Sequence, residues 1–223
     1  MKKDLRLLPT LLVLLLLSIS LTGCAEIAKT ISRSDVTTEE LRSLLILQTD
    51  FPEYSIYDQD VVDSIAERKI LEKINGDVCD TKSINLGVEL FEQNTGISIN
   101  SASEPVCAGA ESTLQLSRDN IENYSKGIET MLTAMVAREG GGIRDIQTVI
   151  LDNSGFGDKS ITLATSAEVS YDGEIVPYQS MSVIQVNDKA AVTVSVSSYQ
   201  PSFPEDILTK AVTLAKSRLD LLE

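Results

Sequence analysis

The apolar residues between Ser117 and Glu139 recur every three or four positions, which is the spacing of one face of a helix. The residues on that face are Ile121, Tyr124, Ile128, Met131, Leu132 and Met135. Ser117 and Asp119 are suitable N-cap residues, and Gly140-Gly141-Gly142 directly follows the last turn. The pattern therefore predicts a helix over 117–139 that ends at the three glycines.

From residue 146 onward the period of the apolar positions changes from helical to alternating. Four segments rich in Val, Ile and Thr show this alternation, namely Ile146–Leu151, Ser160–Ser170, Val176–Val186 and Ala190–Ser197. Residues that favour turns, mainly Gly, Asn and Asp, separate these segments. The order predicts an antiparallel meander of four strands with one face towards solvent.

A second amphipathic pattern covers the last part of the chain, from Glu205 to Leu222. One side of this predicted helix carries Ile207, Leu208, Ala211, Leu214, Ala215 and Leu219. Helices combined with an antiparallel meander predict an α+β fold. We expect an antiparallel sheet of about four to six strands with amphipathic helices packed on it, including the C-terminal helix.

The pattern between residues 37 and 74 predicts two helices. The first is expected to run from Thr37 or Thr38 to about Leu47, because Thr-Thr-Glu-Glu supplies an N-cap and an acidic first turn. Apolar residues in 61–74 fall at uneven helical intervals and end at Asn75-Gly76, which is a favourable C-cap. We therefore predict a second helix that ends there.

The segment 75–110 is rich in Asn, Gly and Ser and has the weakest pattern in the chain. Short runs of apolar residues are compatible with a helix near 84–93 and with a strand near 97–100. Both are predicted here as short elements between longer irregular stretches.

The stretch Leu7–Leu21 is almost wholly apolar and follows a basic segment with Lys2, Lys3 and Arg6. A helix over this stretch would span about 22 Å, which is shorter than the hydrocarbon core of about 30 Å. A basic start, a short apolar run and small residues at its end are typical of a secretory signal. The alternative is an uncleaved anchor helix.

Leu21-Thr22-Gly23-Cys24 resembles the lipobox of bacterial lipoproteins, in which a small residue precedes a cysteine. The resemblance implies that a signal peptidase cleaves between Gly23 and Cys24. It also implies that Cys24 carries diacylglycerol with acyl chains such as palmitate. Two or three acyl chains anchor a protein stably, whereas one holds it only marginally. We therefore expect a lipoprotein on the extracytoplasmic face of the cell membrane.

These predictions divide the chain into three parts. Residues 1–23 are a cleaved signal peptide, 24–36 are a lipid-anchored tether, and 37–223 form a single α+β sensor-like domain. Removing 1–23 takes away three positive charges and one negative charge, so the formal net charge changes from −14 to −16. The acidity is typical of a soluble protein whose copies repel one another.

The composition limits the chemistry that the chain can support. An acidic chain without basic clusters binds nucleic acid poorly, so no nucleic-acid partner is expected. The chain has no His, which removes the usual general base, the usual zinc ligand and the usual hydrolase triads. We therefore expect no enzymatic activity, no catalytic residues, no metal site and no cofactor. A carboxylate-based hydrolase is the enzymatic alternative, since two acids about 5–9 Å apart suffice for sugar hydrolysis.

Three cysteines occur in the sequence, and lipidation of Cys24 would leave Cys79 and Cys107. Two cysteines in an exported chain predict one disulfide bond. Such a bond would contribute about 3–4 kcal/mol on the chain-entropy model. The alternatives are a metal-binding pair and two free thiols.

Several segments resemble one group of exported domains. The first is "LRSLLILQTDFPEYSI", in which a leucine-rich helix precedes an Asp-x-Pro break, and the second is "PVCAGAESTL". The segments "GFGDKSITL", "MSVIQVNDKAAVTVSV" and "ILTKAVTLAKSRL" supply a Gly-Asp turn, a pair of strands and a terminal amphipathic helix. They are similar to actinobacterial cell-envelope lipoproteins related to the extracellular sensor domain of PknH-type serine/threonine kinases.

This resemblance covers roughly residues 38–222 and implies a sensor domain with a ligand-sized cleft. Domains of this kind have two disulfide bonds, whereas only Cys79 and Cys107 can pair here. The family pattern contains no catalytic residues, so none is transferred to this chain.

The absence of catalytic signatures favours a non-catalytic binding or sensor-like domain. Its partner would be an envelope lipid, a glycan or a protein, in addition to the membrane itself. The candidate ligand contacts are the tyrosines Tyr54, Tyr57, Tyr171, Tyr178 and Tyr199, of which Tyr171 and Tyr178 flank one hairpin. The alternative is a structural or assembly factor that contacts another envelope protein through an apolar stripe left exposed by the core.

Overall fold

The structure is a computed structural model, and a part of the chain is described by it. The described residues are 36–56, 66–74, 77–86, 90–92, 94–103, 110–119, 121–138, 141–151, 155–171 and 173–222. The predicted signal peptide, the cleavage site at Gly23 and Cys24 and most of the tether lie outside these ranges. They therefore stay predictions.

Helices and strands alternate irregularly along the described residues. The helices are α1 (Thr38–Ser43), a 3-10 helix (Gln48–Asp50), α2 (Ala110–Asp119), α3 (Ile121–Arg138) and α4 (Glu205–Asp220). The strands of the first half are β1 (Ser55–Ile56), β2 (Ala66–Ile74), β3 (Asp77–Leu86), β4 (Leu90–Glu92) and β5 (Thr95–Ser103). The strands of the second half are β6 (Gly142–Leu151), β7 (Ser160–Tyr171), β8 (Glu174–Val186) and β9 (Ala191–Ser198).

All nine strands belong to one antiparallel sheet, whose main path runs β1-β4-β5-β9-β8-β7-β6. On the side away from β9, strand β5 pairs with β4 near its start and with β3 near its end. The middle of the sheet is therefore six strands wide, because β3 and β4 share one side of β5. Beyond them, β1 pairs with β4 and β2 pairs with β3. The predicted α+β class, the antiparallel sheet and the C-terminal helix are confirmed.

The predicted four-strand meander is present as β6, β7, β8 and β9, each paired with the next. Alternation along the sequence identified these strands because hairpins join neighbours in sequence, so local pattern and tertiary pairing agree. The prediction of one solvated face holds only towards β6, whose residues alternate between exposed and half-buried. Strand β9 is buried along nearly its whole length. Its valines pack with α4 on one face, and Ala191 packs with α2 on the other.

The two faces of the sheet are named here after the helices that cover them. On the α4 face, Val192, Val194 and Val196 of β9 belong to one apolar core with α1 and α4. On the α2 face, Ile161 and Leu163 of β7 belong to a second core with α2, which includes Ala110 and Leu114. The side chains of a strand alternate between the two faces, so the same strands serve both cores.

Helix α1 confirms the predicted N-cap but ends earlier than predicted. Thr37 and Glu40 form a reciprocal capping box, in which the Thr37 N–H donates to Glu40 Oε2 at 2.7 Å and the Glu40 N–H donates to Thr37 Oγ1 at 3.1 Å. The helix stops at Ser43, and Leu44–Ile46 follow as three consecutive buried residues. A helix cannot place three successive side chains on one face, so burial of all three ends it.

The segment after α1 is fixed to the sheet and to α4 by polar contacts. Asn100 of β5 accepts from the Ile46 N–H at 3.1 Å and donates to the Ile46 carbonyl at 2.5 Å. Arg218 of α4 donates to Asp50 at 2.6 Å and to the Leu45 carbonyl. Lys210 lies 4.0 Å from the centre of the Phe51 ring. These contacts make residues 44–54 part of the same core as α4.

The helix predicted over 61–74 is wrong for the part that the structure describes, because 66–74 form β2. All nine residues of β2 pair with β3, from Ala66 with Asn85 to Ile74 with Asp77. The two residues between Ile74 and Asp77 are Asn75 and Gly76, a pair that two-residue hairpins also favour. The interpretation of this pair as a helix C-cap was therefore the source of the error.

The helix predicted near 84–93 is also wrong, since β3 continues to Leu86 and β4 covers Leu90–Glu92. Both strands pair with β5, so tertiary pairing decides the structure of a segment whose own pattern is weak. The strand predicted near 97–100 is confirmed and extends over Thr95–Ser103.

The helix predicted over 117–139 is present as two helices. Helix α2 already begins at Ala110, and α3 covers Ile121–Arg138. Ser117 therefore lies inside α2, where its hydroxyl donates to the Thr113 carbonyl at 2.9 Å instead of capping a helix. Asp119 is the last residue of α2, so it does not begin a helix either.

Candidate ligand-binding face of the sheet

A row of hydroxyl side chains crosses four adjacent strands on the α2 face. Thr148 of β6 pairs with Thr165 of β7, Thr165 pairs with Ser180 of β8, and Ser180 pairs with Ser197 of β9. Directly cross-strand residues lie on the same face of a sheet. These four residues, Thr148, Thr165, Ser180 and Ser197, are called the hydroxyl row.

Two further hydroxyls lie beside the row in the neighbouring cross-strand pair, Ser182 and Ser195. Their oxygens are 2.6 Å apart, and those of Ser180 and Ser195 are 3.4 Å apart. In the row itself, the oxygens of Thr148 and Thr165 are 3.1 Å apart. The hydroxyls on β7, β8 and β9 are buried, so each hydrogen bond here replaces one to water.

The hydroxyl row lies between an aromatic pair and an apolar patch. On one side, Tyr178 and Tyr199 have ring centroids 5.3 Å apart with a tilt of 56°. On the other side, Leu163 and Ile161 pack with Leu114 of α2. A few polar groups within a mainly apolar and aromatic surround are typical of small-molecule binding sites.

The chemistry of this face differs from that of the opposite face of the same strands. On the α4 face, the side chains of β9 that alternate with Ser195 and Ser197 are Val192, Val194 and Val196. On the α2 face, the line of paired residues that forms the row continues from Ser197 to Gly96 of β5. No residue in this line is charged. The face can therefore both donate and accept hydrogen bonds without carrying charge.

The structure places two predicted ligand contacts, Tyr178 and Tyr199, on the α2 face next to the hydroxyl row. Tyr54 lies on the α4 face, where its ring meets Phe51 edge-to-face at 5.6 Å. Tyr54 and Tyr178 are each only 4% exposed, and the sheet separates them. Tyr54 and Tyr178 are therefore not brought together.

The remaining predicted site residues are described only in part. Tyr171 pairs with Glu174 at the end of the β7–β8 hairpin, and three cross-strand pairs lie between this pair and the one that contains Tyr178. Tyr57 lies outside the described residues. Cys79 pairs with Glu72 in the β2–β3 hairpin, whereas Cys107 lies outside the described residues. The disulfide bond and a ligand role for these tyrosines stay predictions.

Sequence reasoning missed the hydroxyl row, although a signal for it was present. Thr148, Thr165, Ser180 and Ser197 all fall within the predicted strands, at positions of one alternation phase. The alternation predicts that one face of the meander is towards solvent, and it does not distinguish a buried hydroxyl from a solvated one. Only the pairing register shows that these four hydroxyls align across the sheet.

The shifted carboxyl groups of the described residues lie at helix starts, away from this face. Hydrogen bonds from the Thr37 backbone and side chain lower the pKa of Glu40, and Lys126 lowers the pKa of Glu122. Among the described residues there is no cluster of three or more His, Cys, Asp or Glu side chains that could hold a metal ion. In the same part of the chain, no helix has the length and apolar character needed to span a membrane.

Comparison with solved structures finds similarity to the crystal structure of the extracellular domain of PknH from Mycobacterium tuberculosis. The two chains share 10% sequence identity with a TM-score of 0.34, and the match covers 85% of this chain and 97% of that chain. The resemblance expected from the sequence is thus confirmed only as a weak structural relationship. No protein-family model matches the chain, and no curated protein matches it.

Proposed function

We propose that this chain is a non-catalytic, sensor-like binding domain held on the extracytoplasmic face of the cell membrane by a lipid on Cys24. We propose that the hydroxyl row and the Tyr178–Tyr199 pair contact its ligand. The observation that carries this proposal is the alignment of four hydroxyls across four adjacent strands. On the opposite face of β9, the buried side chains are valines.

The chemistry of the face favours a neutral ligand rich in hydroxyl groups, such as a glycan fragment or the glycan part of an envelope lipid. Ser and Thr hydroxyls donate and accept hydrogen bonds, as sugar hydroxyls do. The apolar faces of Tyr178 and Tyr199 suit the C–H surface of a sugar ring. A charged ligand would find no counter-charge in the cross-strand neighbours of the row.

Binding would exchange hydrogen bonds within the protein for hydrogen bonds to the ligand. The oxygens of Ser182 and Ser195 are 2.6 Å apart, and those of Thr148 and Thr165 are 3.1 Å apart. Because these hydroxyls hydrogen-bond to one another, their burial does not leave their oxygens without partners. The net gain on binding then comes from the burial of the ligand and from the rings.

Native mass spectrometry of the full chain, extracted with mild detergent from its own bacterium, tests this proposal. We expect a non-covalent neutral adduct on the wild-type chain, in addition to the lipid on Cys24. The double variant Ser180→Ala/Ser197→Ala should lower the adduct occupancy about tenfold or more, since two hydrogen bonds of about 1 kcal/mol each are lost.

Ser166→Ala is the matched control, because Ser166 lies on β7 but is exposed and belongs to the other alternation phase. It should leave the adduct unchanged. The proposal fails if the wild-type chain carries no adduct, or if the double variant retains it as well as the control does.

The intact mass measured in the same experiment tests the anchor. We expect a chain that begins at Cys24 and carries diacylglycerol and a further acyl chain, and that sediments with membranes. Cys24→Ala should leave the signal peptide uncleaved and the chain without acyl groups. A wild-type mass that includes residues 1–23 would contradict the anchor while leaving the ligand site untouched.

A further inference from the structure

Strand β6 forms one edge of the sheet, and it pairs only with β7 among the described residues. No backbone hydrogen bond outside this pairing involves a residue of β6 in the same part of the chain. A strand at a sheet edge presents N–H and C=O groups that another extended chain can bind. The edge of β6 is therefore a surface for strand addition.

The second half of this edge is apolar and uncharged. Residues 146–151 read Ile-Gln-Thr-Val-Ile-Leu, without Lys, Arg, Asp, Glu, Pro or Gly. Val149 is 50% exposed and Leu151 is 37% exposed, both on the α4 face. Large apolar side chains exposed on an edge strand are rare in proteins that avoid association.

The first half of β6 differs from the second. Arg144 forms an ion pair of 2.6 Å with Glu168, and the register of β6 shifts between Arg144 and Gln147. Asp145 within this bulge has a φ of 54°, a left-handed conformation. Charges and a bulge both hinder the addition of another strand. The free part of the edge is thus confined to residues 146–151.

Strand β2, on the opposite side of the sheet, is rich in charged residues. Its nine residues include Glu67, Arg68, Lys69, Glu72 and Lys73. Charged residues, and Lys above all, are the usual means by which a natural sheet prevents edge-to-edge pairing. Residues 146–151 of β6 contain no such charged residue.

We propose that a second copy of this chain binds here, with the two β6 strands pairing antiparallel about a two-fold axis within residues 146–151. In such an isologous contact each strand meets the same surface that it presents. The uncharged segment then lies opposite itself, so no like charges face each other within it. Val149 and Leu151 of one copy extend the apolar strip formed by those of the other.

The net charge of the chain determines where two copies can approach each other. The chain has a formal net charge of −14, so two copies repel each other over most of their surfaces. An edge without charge is where two such copies can approach at the lowest electrostatic cost. Since salt screens the remaining repulsion, dimerisation should strengthen as the salt concentration rises.

Sedimentation velocity of the full chain in a mild detergent tests the proposal. The wild-type protein should change from monomer to dimer between about 1 and 100 µM, as expected for a micromolar dissociation constant. Val149→Lys should weaken dimerisation at least tenfold, because it places two like charges near the two-fold axis. Gln147→Lys should act in the same direction from a position that is already exposed and polar, so that folding is not at risk.

Ile175→Lys is the matched control, because Ile175 is 52% exposed but lies on β8, away from this edge. It should dimerise like the wild type. A wild-type chain that is monomeric at about 100 µM overturns the proposal, including the case in which the edge instead binds another protein. Dimers that persist in both Val149→Lys and Gln147→Lys would also overturn it.

Discussion

Gln185 is the one described side chain with a buried polar atom that lacks a hydrogen-bond partner among the described residues. It lies on β8, on the α4 face, and pairs with Val192 of β9. The residue is only 3% exposed, so its Oε1 atom is removed from water. An unsatisfied buried acceptor costs about 1–3 kcal/mol, which makes this residue a weak point of the apolar core.

Replacing Gln185 with Met should therefore stabilise the protein by about 1 kcal/mol, because Met has a similar volume and no polar atoms to satisfy. Equilibrium urea denaturation measures the change. Gln179→Met is the control, since Gln179 Nε2 donates to the Gln200 carbonyl at 3.3 Å and to that of Pro201 at 3.2 Å. That variant should lose stability, and a loss in Gln185→Met as well would show that the Gln185 amide is satisfied in solution.

At the scale of single residues, the sequence identifies types but not partners. Tyr178 and Tyr199 can both be singled out as candidate contacts from the sequence, but the sequence does not show that their rings meet. The two tyrosines meet because Gln179 pairs with Ser198, which sets the next residues beside each other on one face. Such a contact depends on the register between two strands, and the register is not visible in either strand alone.

At the scale of elements, helix α1 depends on the capping box formed by Thr37 and Glu40. Thr37 N and Oγ1 both donate to Glu40 Oε2, at 2.7 and 2.8 Å, and these bonds hold the pKa of Glu40 below its ordinary value of 4.5. A depressed pKa means that the contribution to stability is complete above pH 4.5. It is lost as the pH falls below that value through the pKa of the folded state.

Acidification should therefore destabilise the first turn of α1 before it affects the sheet. Amide hydrogen exchange at Glu40 and Leu41, whose N–H groups donate to Thr37, should accelerate relative to the core of β9 once the pH falls below 4.5. Glu40→Gln should remove this pH dependence because it has no charge to lose. An unchanged pH dependence in Glu40→Gln would assign the effect to another acid.

A second element-scale contact is the bridge from Asn100 of β5 to both backbone groups of Ile46. Asn100 is buried, so Asn100→Ala would leave the Ile46 N–H and carbonyl without partners. We expect a loss of about 2 kcal/mol in the free energy of unfolding, measured by urea denaturation. A loss below about 0.5 kcal/mol would mean that water replaces the side chain there.

The elements that could be predicted are those in which local pattern and tertiary pairing coincide. The meander β6–β9 and helix α4 have regular periods, and their partners lie close in sequence. Strand β2 has an uneven period, and its Asn75-Gly76 is compatible with a hairpin and with a helix end. There the nine pairs with β3 decide the outcome, and the sequence of β2 alone does not.

At the scale of the whole molecule, the sheet separates two environments. The α4 face carries the larger apolar core, to which residues 44–54 contribute. The α2 face carries the hydroxyl row between an apolar patch and two tyrosines. The division was not predictable, because residues of both faces alternate within every strand and only the helices above them show which face is which.

This division makes the position of the ligand the decisive observation. We propose to record backbone amide chemical shifts by NMR for the full chain in detergent, first with its co-purified ligand and then after the ligand has been removed. The account predicts that the changed shifts cluster at 178–182 and 195–199, on the strands of the hydroxyl row. Residues 41–54, on the α4 face, should be unchanged. Shift changes confined to the α4 face, or no difference between the two samples, would contradict the assignment of the α2 face as the binding face.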